Sequence, residues 1–139
     1  MSNEGGRHAV VTGSSSGIGM AIAQSLLAGG WRVSGFDVAP PRIEHAAFRA
    51  VAVDLCDGAA TEAAAQAASP VQALVHAAGV LRVGPLGALD ADAGSLMWRL
   101  HVDALTRIAD IVVPSMVRAG RGRVVMVGSR VSRLSLIHI

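Results

Sequence analysis

The sequence contains no tyrosine and no lysine, so all 12 of its basic side chains are arginines. Cysteine occurs once, at Cys56, which excludes an internal disulfide and a cysteine-based metal site. No grouping of histidine and carboxylate residues has the spacing of metal ligands, so we predict no bound metal. The formal net charge is only +2, too small an excess to indicate a nucleic-acid-binding surface.

Long apolar runs are also missing. The uncharged stretch 63–81 is interrupted by Pro70 and His76 and is rich in weakly apolar alanine, which argues against a membrane span. The first residues lack the apolar segment of a signal peptide, and the lone cysteine fits a reducing compartment, so we predict a cytoplasmic protein. Hydrophobic residues make up 52% of the chain and charged residues 16%, which indicates a globular domain.

Short apolar segments of strand length alternate with longer segments of helical periodicity, and this alternation predicts βαβ units. Parallel strands joined by right-handed crossovers have few topologies, so we predict a single α/β domain over 1–133. It should be a doubly wound parallel sheet of the Rossmann type, with about five strands and helices on both faces. The strands are predicted to begin at His8, Trp31, Arg49, Val71 and Arg123, and the helices to cover 17–30, 58–68 and 94–119. Pro114 should distort the last helix near its end.

A glycine-rich stretch, VVTGSSSGIGMA, joins the first predicted strand to the first predicted helix. A strand that ends against a helix N-terminus leaves backbone N–H groups free to bind a diphosphate. An ordinary glycine-rich turn would share the composition, but the strand before it and the helix after it are the context of a dinucleotide site. The residues predicted to bind the cofactor here are Gly13, Ser14, Ser16, Gly17, Ile18 and Gly19.

The spacing TGxxxGIG over 12–19 resembles the short-chain dehydrogenase/reductase family. Three further landmarks follow in the order of that family: acidic residues at the ends of strands two and three, HAAGV at 76–80, and GRVVMVGS at 122–129. The four landmarks together are specific, although none is so alone. The resemblance covers the chain to about residue 133 and implies an oxidoreductase. Such an enzyme passes a hydride between a nicotinamide cofactor and a small alcohol or carbonyl substrate.

Asp37 lies at the predicted tip of the second strand, where a carboxylate can accept hydrogen bonds from an adenosine ribose and repel a 2′-phosphate. Residues 14–16 and 38–39 supply no cation for that phosphate, so we predict NAD rather than NADP. The resemblance implies that Asp54 and Leu55 flank the adenine, with Asp54 accepting from its exocyclic amine. Asp57 is predicted to cap the helix that follows.

In HAAGV, the resemblance implies that the small residues Ala78 and Gly79 let the backbone approach the cofactor ribose, although the usual asparagine is missing. His76 is predicted to be a packed histidine. The resemblance assigns the catalytic serine to Ser129, which would hydrogen-bond the substrate oxygen. His101 stands where the family commonly carries an asparagine that supports a proton-relay water; a histidine at the edge of the core is the open alternative.

The resemblance also implies a Tyr-x-x-x-Lys motif after Ser129, in which the tyrosine transfers the proton and the lysine lowers its pKa. Neither residue type occurs, so the chain alone is expected to be inactive. The last six residues, LSLIHI, resemble the translated end of a sequencing adapter, so we expect 134–139 to be a non-native tail on the N-terminal part of an enzyme. The alternative is a catalytically silent NAD-binding or regulatory protein. For the complete enzyme, the resemblance implies a homo-oligomer.

Overall fold

The computed structural model describes residues 6–129. Within this range, parallel strands alternate with helices. The strands are β1 (His8–Thr12), β2 (Arg32–Asp37), β3 (Phe48–Ala52), β4 (Ala73–His76) and β5 (Arg123–Met126). The helices are α1 (Gly17–Ala28), α2 (Gly58–Ala68), α3 (Ala91–Trp98) and α4 (Ala104–Arg118), with a π-helical turn (Arg99–Asp103) between α3 and α4.

The five strands form one parallel sheet in the order β3-β2-β1-β4-β5. All residues of the central strand β1 are buried. The chain leaves β1 toward β2 on one side and later returns to place β4 on the other side. The strand order therefore reverses between β1 and β4, and in such sheets ligands bind in the crevice at the carboxyl ends of these strands. The predicted doubly wound α/β fold is confirmed.

Helices cover both faces of the sheet, as predicted. On one face, α1 packs Ala23 and Leu27 against Val11, Val33 and Val75. On the other face, α2 and α4 cover a larger apolar cluster. The buried side chains that α4 contributes to it recur at every fourth position: Ala104, Ile108, Val112 and Met116. This spacing places them in one stripe along the helix, so α4 is held to the sheet by apolar burial.

The helix predicted over 94–119 differs from the structure at its start and in its middle. It begins at Ala91, because the Asp90 carboxylate accepts hydrogen bonds from the N–H groups of Asp92 and Ala93 and so caps α3. The π-helical turn then interrupts the regular pattern. Pro114 does not end α4; the carbonyl that loses its N–H partner belongs to exposed Asp110 and can turn to water.

The helix predicted over 58–68 is confirmed at both ends. The Asp57 carboxylate accepts a hydrogen bond from the Ala60 N–H at 3.1 Å, which is the predicted cap. The first helix starts at Gly17 as predicted and ends at Ala28, two residues before the predicted end at 30, because Gly30 has a φ of +79°, a backbone conformation outside the helix that favours glycine.

Candidate nucleotide-binding site

The loop between β1 and α1 has a backbone that only glycine adopts readily at two positions. Gly13 has a φ of +70° and Gly17 a φ of +53°. At Gly13 space is restricted as well, because a Cβ there would lie 2.9 Å from the backbone nitrogen of Ala78. The Gly13 N–H donates to the carbonyl of Phe36 at 2.8 Å, which ties the loop to β2. The loop is therefore held tightly between β2 and the segment that follows β4.

The start of α1 presents backbone donors rather than a side-chain cap. Ser16 occupies the N-cap position, yet its hydroxyl makes no capping hydrogen bond. The first helical bond runs from the Met20 N–H to the Ser16 carbonyl at 3.1 Å, so the N–H groups ahead of Met20 have no acceptor within the helix. Together with the positive end of the helix dipole, these donors can hold an anionic diphosphate.

The predicted side chains of this loop differ in what they can offer a ligand. Ser16 and Ile18 are exposed. Ser14 is only 2% exposed, and its hydroxyl lies over Gly35, where any Cβ on that glycine would collide with it. Ser14 can therefore serve a cofactor through its main chain and not through its hydroxyl.

Asp37 is built into the same loop. Its Oδ2 accepts a hydrogen bond from the Ser15 N–H and its Oδ1 accepts one from the Ala39 N–H, both at 2.9 Å. Each carboxylate oxygen keeps further acceptor capacity. The side chain is partly exposed at the carboxyl end of β2. Asp37 can therefore anchor the loop and still accept hydrogen bonds from hydroxyl groups of a ligand.

The next strand end carries Asp54, Leu55 and Cys56. Asp54 is exposed, and its Oδ1 accepts a hydrogen bond from the Cys56 N–H at 2.9 Å. The Leu55 side chain is 5% exposed and packs in the cluster under α2 and α4, so only its main chain remains to contact an adenine. Burial first, and then the Asp54 carboxylate, raise the pKa of the Cys56 thiol, which disfavours a reactive thiolate.

A buried hydrogen-bond network that the sequence analysis did not identify lies under the loop. The Thr12 Oγ1 accepts hydrogen bonds from the N–H groups of Ala77 and Ala78, both at 3.1 Å. With both lone pairs occupied, the hydroxyl must donate to the Nδ1 of His76, 2.8 Å away. The ring proton of His76 therefore sits on Nε2, which donates to the Leu100 carbonyl at 2.9 Å.

This network connects three segments around the crevice: the end of β1, the segment after β4, and the π-helical turn. Both polar side chains are buried, Thr12 at 0% and His76 at 2% exposed. The prediction that His76 is a packed histidine is thus confirmed. Threonine begins the TGxxxGIG motif, but its partner lies 64 positions away, and no local pattern indicates such a pair.

His101 lies in the π-helical turn, beside the segment that follows β4. Its Nε2 is 2.9 Å from the Val80 carbonyl oxygen and 3.2 Å from the Val80 nitrogen. The ring also occupies the space that a Cβ on Gly79 would need. The His101 ring can therefore lie here only because residue 79 is a glycine. His101 is exposed rather than packed in the core.

Ser129 is exposed and follows β5. Pairing with β4 extends past the strand, since the Val127 N–H donates to the His76 carbonyl at 3.0 Å. Because carboxyl ends of parallel strands share one edge of a sheet, the segments that carry Gly13, Asp37, Gly79 and Ser129 all leave the sheet at that edge. The tail 134–139 and the predicted end of the domain at 133 lie outside the described residues.

The stability of the fold should fall in mild acid because of His76. Burial lowers the pKa of His76 below 6.5; the hydrogen bond to Leu100 partly offsets this, and His101 lowers the pKa further. Below about pH 6.5 the unfolded chain takes up a proton that the folded chain still excludes, so the free energy of unfolding decreases until the folded-state pKa is passed.

Urea unfolding between about pH 7.5 and about pH 5.5 measures this loss. We expect the pH dependence in His76→Gln to be shallower than in the parent and shallower than in His45→Gln, a matched substitution at an exposed histidine. Equal pH dependence in the parent and in His76→Gln would contradict the assignment.

Within residues 6–129, no cluster of three or more histidine, cysteine or acidic residues could hold a metal ion. In that same part of the chain, every helix is too short or too polar to cross a membrane.

Comparisons with known proteins agree with this geometry. The family model described as short chain dehydrogenase matches residues 7–139. D-erythrulose reductase of Gallus gallus is 32% identical over 137 residues, which cover 94% of this chain and 56% of the relative. 2-Dehydro-3-deoxy-L-rhamnonate dehydrogenase (NAD(+)) of Sphingomonas sp. (strain SKA58) is 33% identical, covering 89% of this chain and 54% of the relative.

A crystal structure of a short-chain dehydrogenase from Streptomyces avermitilis superimposes with a TM-score of 0.81 at 29% identity. The superposition covers 93% of this chain and 51% of that chain. The chain thus spans about half the length of the curated relatives it matches.

Proposed function

This chain belongs to the short chain dehydrogenase family, and on that premise we propose that the protein is an NAD-dependent oxidoreductase. It would interconvert a small alcohol and the corresponding carbonyl compound. We place it in the cytoplasm, in keeping with its single cysteine, and expect the complete enzyme to be a homo-oligomer. We take residues 1–133 as the N-terminal part of its cofactor-binding domain.

The main support for nucleotide binding is the geometry of the loop over 13–19. Two of its glycines have positive φ, and the third, Gly19, has no room for a side chain against the backbone of Gly13. These restrictions keep the backbone N–H groups at the start of α1 open to a diphosphate. The loop therefore fits the diphosphate of a dinucleotide through its backbone N–H groups, although none of its side chains is positively charged.

The preference for NAD rests on Asp37. Its carboxylate is held in place by the Ser15 and Ala39 N–H groups and keeps acceptor capacity for ribose hydroxyls. A 2′-phosphate at that position would meet a negative charge, with no arginine in 14–16 or 38–39 to compensate. The name of the Sphingomonas relative also specifies NAD(+).

When bound, the oxidised cofactor accepts a hydride from an alcohol and the reduced cofactor donates one to a carbonyl. The chain's own contribution would be to orient both partners. The Ser129 hydroxyl would donate a hydrogen bond to the oxygen of the substrate, which holds the reacting carbon toward the nicotinamide. The His101 ring, beside the Val80 peptide, would hold a proton-relay water at the same edge. Asp54 and the main chain of Leu55 would contact the adenine.

A second candidate is a catalytically silent NAD-binding or regulatory protein, which would use the loop over 13–19 to hold the cofactor without a reaction. The two candidates differ in one cheap observation. The enzyme requires that the gene encoding this chain also encode a Tyr-x-x-x-Lys motif after Ser129. A stop codon directly after residue 133 in the native gene would favour the silent protein. Hydride transfer to NAD from an alcohol by the full gene product would decide for the enzyme.

Changing Asp37 to asparagine should weaken NAD binding about tenfold or more and shift the ratio of the NAD and NADP affinities toward NADP. The substitution removes the charge that repels a 2′-phosphate. It also removes one of the two oxygens that accept from the Ser15 and Ala39 N–H groups, which weakens the loop for both nucleotides. Calorimetric titration with both nucleotides measures the change. Asp110→Asn, which makes the same substitution at an exposed position on α4, should alter neither affinity. Tighter binding of NADP than NAD by the unmutated protein would disprove the role of Asp37.

A further inference from the structure

A cavity lies at the edge of the sheet opposite the nucleotide-binding loop. It has a volume of about 570 Å³ and opens between the amino ends of β1, β2 and β3 and the carboxyl end of α2. The loop at Gly13 follows the carboxyl end of β1, whereas His8, at the amino end of the same strand, lines this cavity. None of the residues assigned to the cofactor or to the reaction contributes to it.

The strand register places four polar residues of this cavity on one face of the sheet. His8 is paired with Arg32, and Ser34 with Arg49. Because side chains alternate along a strand, Arg32 and Ser34 share a face, and the bond between His8 Nε2 and Ser34 Oγ, at 2.9 Å, places His8 there too. The adjoining part of this face carries Phe36, a buried residue of the core. The face thus changes from apolar to basic at the cavity.

The arginines that line the cavity have no acidic partner among the residues that the structure describes. None of the lining residues in that range is an aspartate or a glutamate. Within residues 6–129, neither the Arg32 nor the Arg49 guanidinium forms an ion pair or a hydrogen bond. The carboxyl end of α2 brings a partial negative charge of about half a unit, which the two full positive charges outweigh. The arrangement therefore has a net attraction for an anion.

The remaining lining indicates what the anion should carry. Ala64, Ala67 and Ala68 of α2 form an apolar wall, and Val51 lies on the sheet side. Guanidinium groups bind carboxylates and phosphates through paired hydrogen bonds, so they suit the charged head of a ligand. The alanine wall offers no hydrogen-bonding side chain, so it suits an aliphatic portion.

We propose that this cavity binds a small organic acid, with its oxyanion held between Arg32 and Arg49 and its apolar body against the alanine surface of α2. The site is separate from the proposed NAD site and does not depend on the proposed reaction. His8 should report on occupancy: burial first, and then the charge of Arg32, lower its pKa, and an anion beside Arg32 reduces the second effect.

The test is a titration of the full gene product with hexanoate. Calorimetry measures the affinity, and the NMR signal of the His8 ring measures its pKa. We expect saturable binding and a rise in the pKa of His8. Hexan-1-ol has the same apolar body without the charge and should bind about tenfold or more weakly. The double variant Arg32→Gln/Arg49→Gln should lose about tenfold or more in hexanoate affinity.

A charge-matched control is Arg118→Gln/Arg121→Gln, because both arginines are exposed and lie outside the cavity. Its hexanoate affinity should equal that of the parent. Equal loss in both double variants, or no saturable binding to the parent, would overturn the proposal. NAD titration of each variant separates the two sites: retained NAD affinity shows that the variant is folded. If the double variant does not fold, the single variant Arg49→Gln at the exposed rim takes its place, with the same expected direction.

Discussion

Replacing Gly19 by alanine should abolish nucleotide binding and lower the free energy of unfolding by about 3 kcal/mol. Gly19 is buried in the first turn of α1, and a Cβ there would fall on the carbonyl oxygen of Gly13 and 2.7 Å from its carbon. Both atoms belong to the backbone of the loop, which β2 and the segment after β4 hold in place. The helix start and the loop must therefore move apart, and the diphosphate site is lost with them.

The matched control for this change is Gly94→Ala. Gly94 is also a helical glycine, in α3, but a Cβ there would meet nothing within 4 Å. Alanine should be neutral or stabilise the protein by about 0.5–1 kcal/mol, because it restricts the unfolded chain. Urea unfolding and calorimetric titration with NAD compare the two variants. Unchanged NAD affinity in Gly19→Ala would refute the proposed geometry of the site.

Replacing Thr12 by valine should destabilise the protein by about 3–5 kcal/mol. Valine has nearly the same shape, so the effect isolates the hydroxyl. The substitution leaves the N–H groups of Ala77 and Ala78 without their acceptor and the Nδ1 of His76 without its donor. The His76 ring is 2% exposed and the two N–H groups are partly buried, so water replaces the lost partners poorly, and each such loss is worth about 1–3 kcal/mol.

Thr106→Val is the control for the same change in an exposed position. The Thr106 hydroxyl donates to the Val102 carbonyl one helical turn earlier, at 2.9 Å, where water can substitute for it. We expect a change within about 0.5 kcal/mol. Equal stability of Thr12→Val and Thr106→Val would show that the buried network contributes nothing. The NMR shifts of the His76 ring nitrogens should also change in Thr12→Val, since Nδ1 loses its donor.

Several features of the protein depend on neighbouring residues alone, and these were predictable. The alternation of apolar strands with helical segments predicted the doubly wound sheet. Asp57 caps α2 through an N–H group three residues away, so the bounds of that helix follow from a local pattern. The glycines of the loop over 13–19 are needed for backbone conformations of the loop itself. The family resemblance could be seen in the sequence for the same reason, because each of its motifs is a short local stretch, and the family comparison confirmed it.

Other features were decided by contacts between distant parts of the chain. The π-helical turn interrupts a segment whose periodicity predicted one continuous helix, and its Leu100 carbonyl accepts a hydrogen bond from His76 on β4. The burial of Ser14 requires Gly35 on the neighbouring strand, and the anchoring of Asp37 by Ser15 crosses 22 positions. The hydrophobic periodicity of a single segment does not predict such contacts between residues on different strands and loops.

The sequence by itself therefore determined the order of the elements and the presence of a glycine-rich loop between β1 and α1, because hydrophobic period, capping and positive φ act within a few residues. Only the tertiary structure decided how Thr12 meets His76 and how Arg32 and Arg49 come to share one cavity. The physical reason is strand register. The pairing of β1 with β2 and β4 sets which side chains face each other across the sheet, and the whole core fixes that pairing at once.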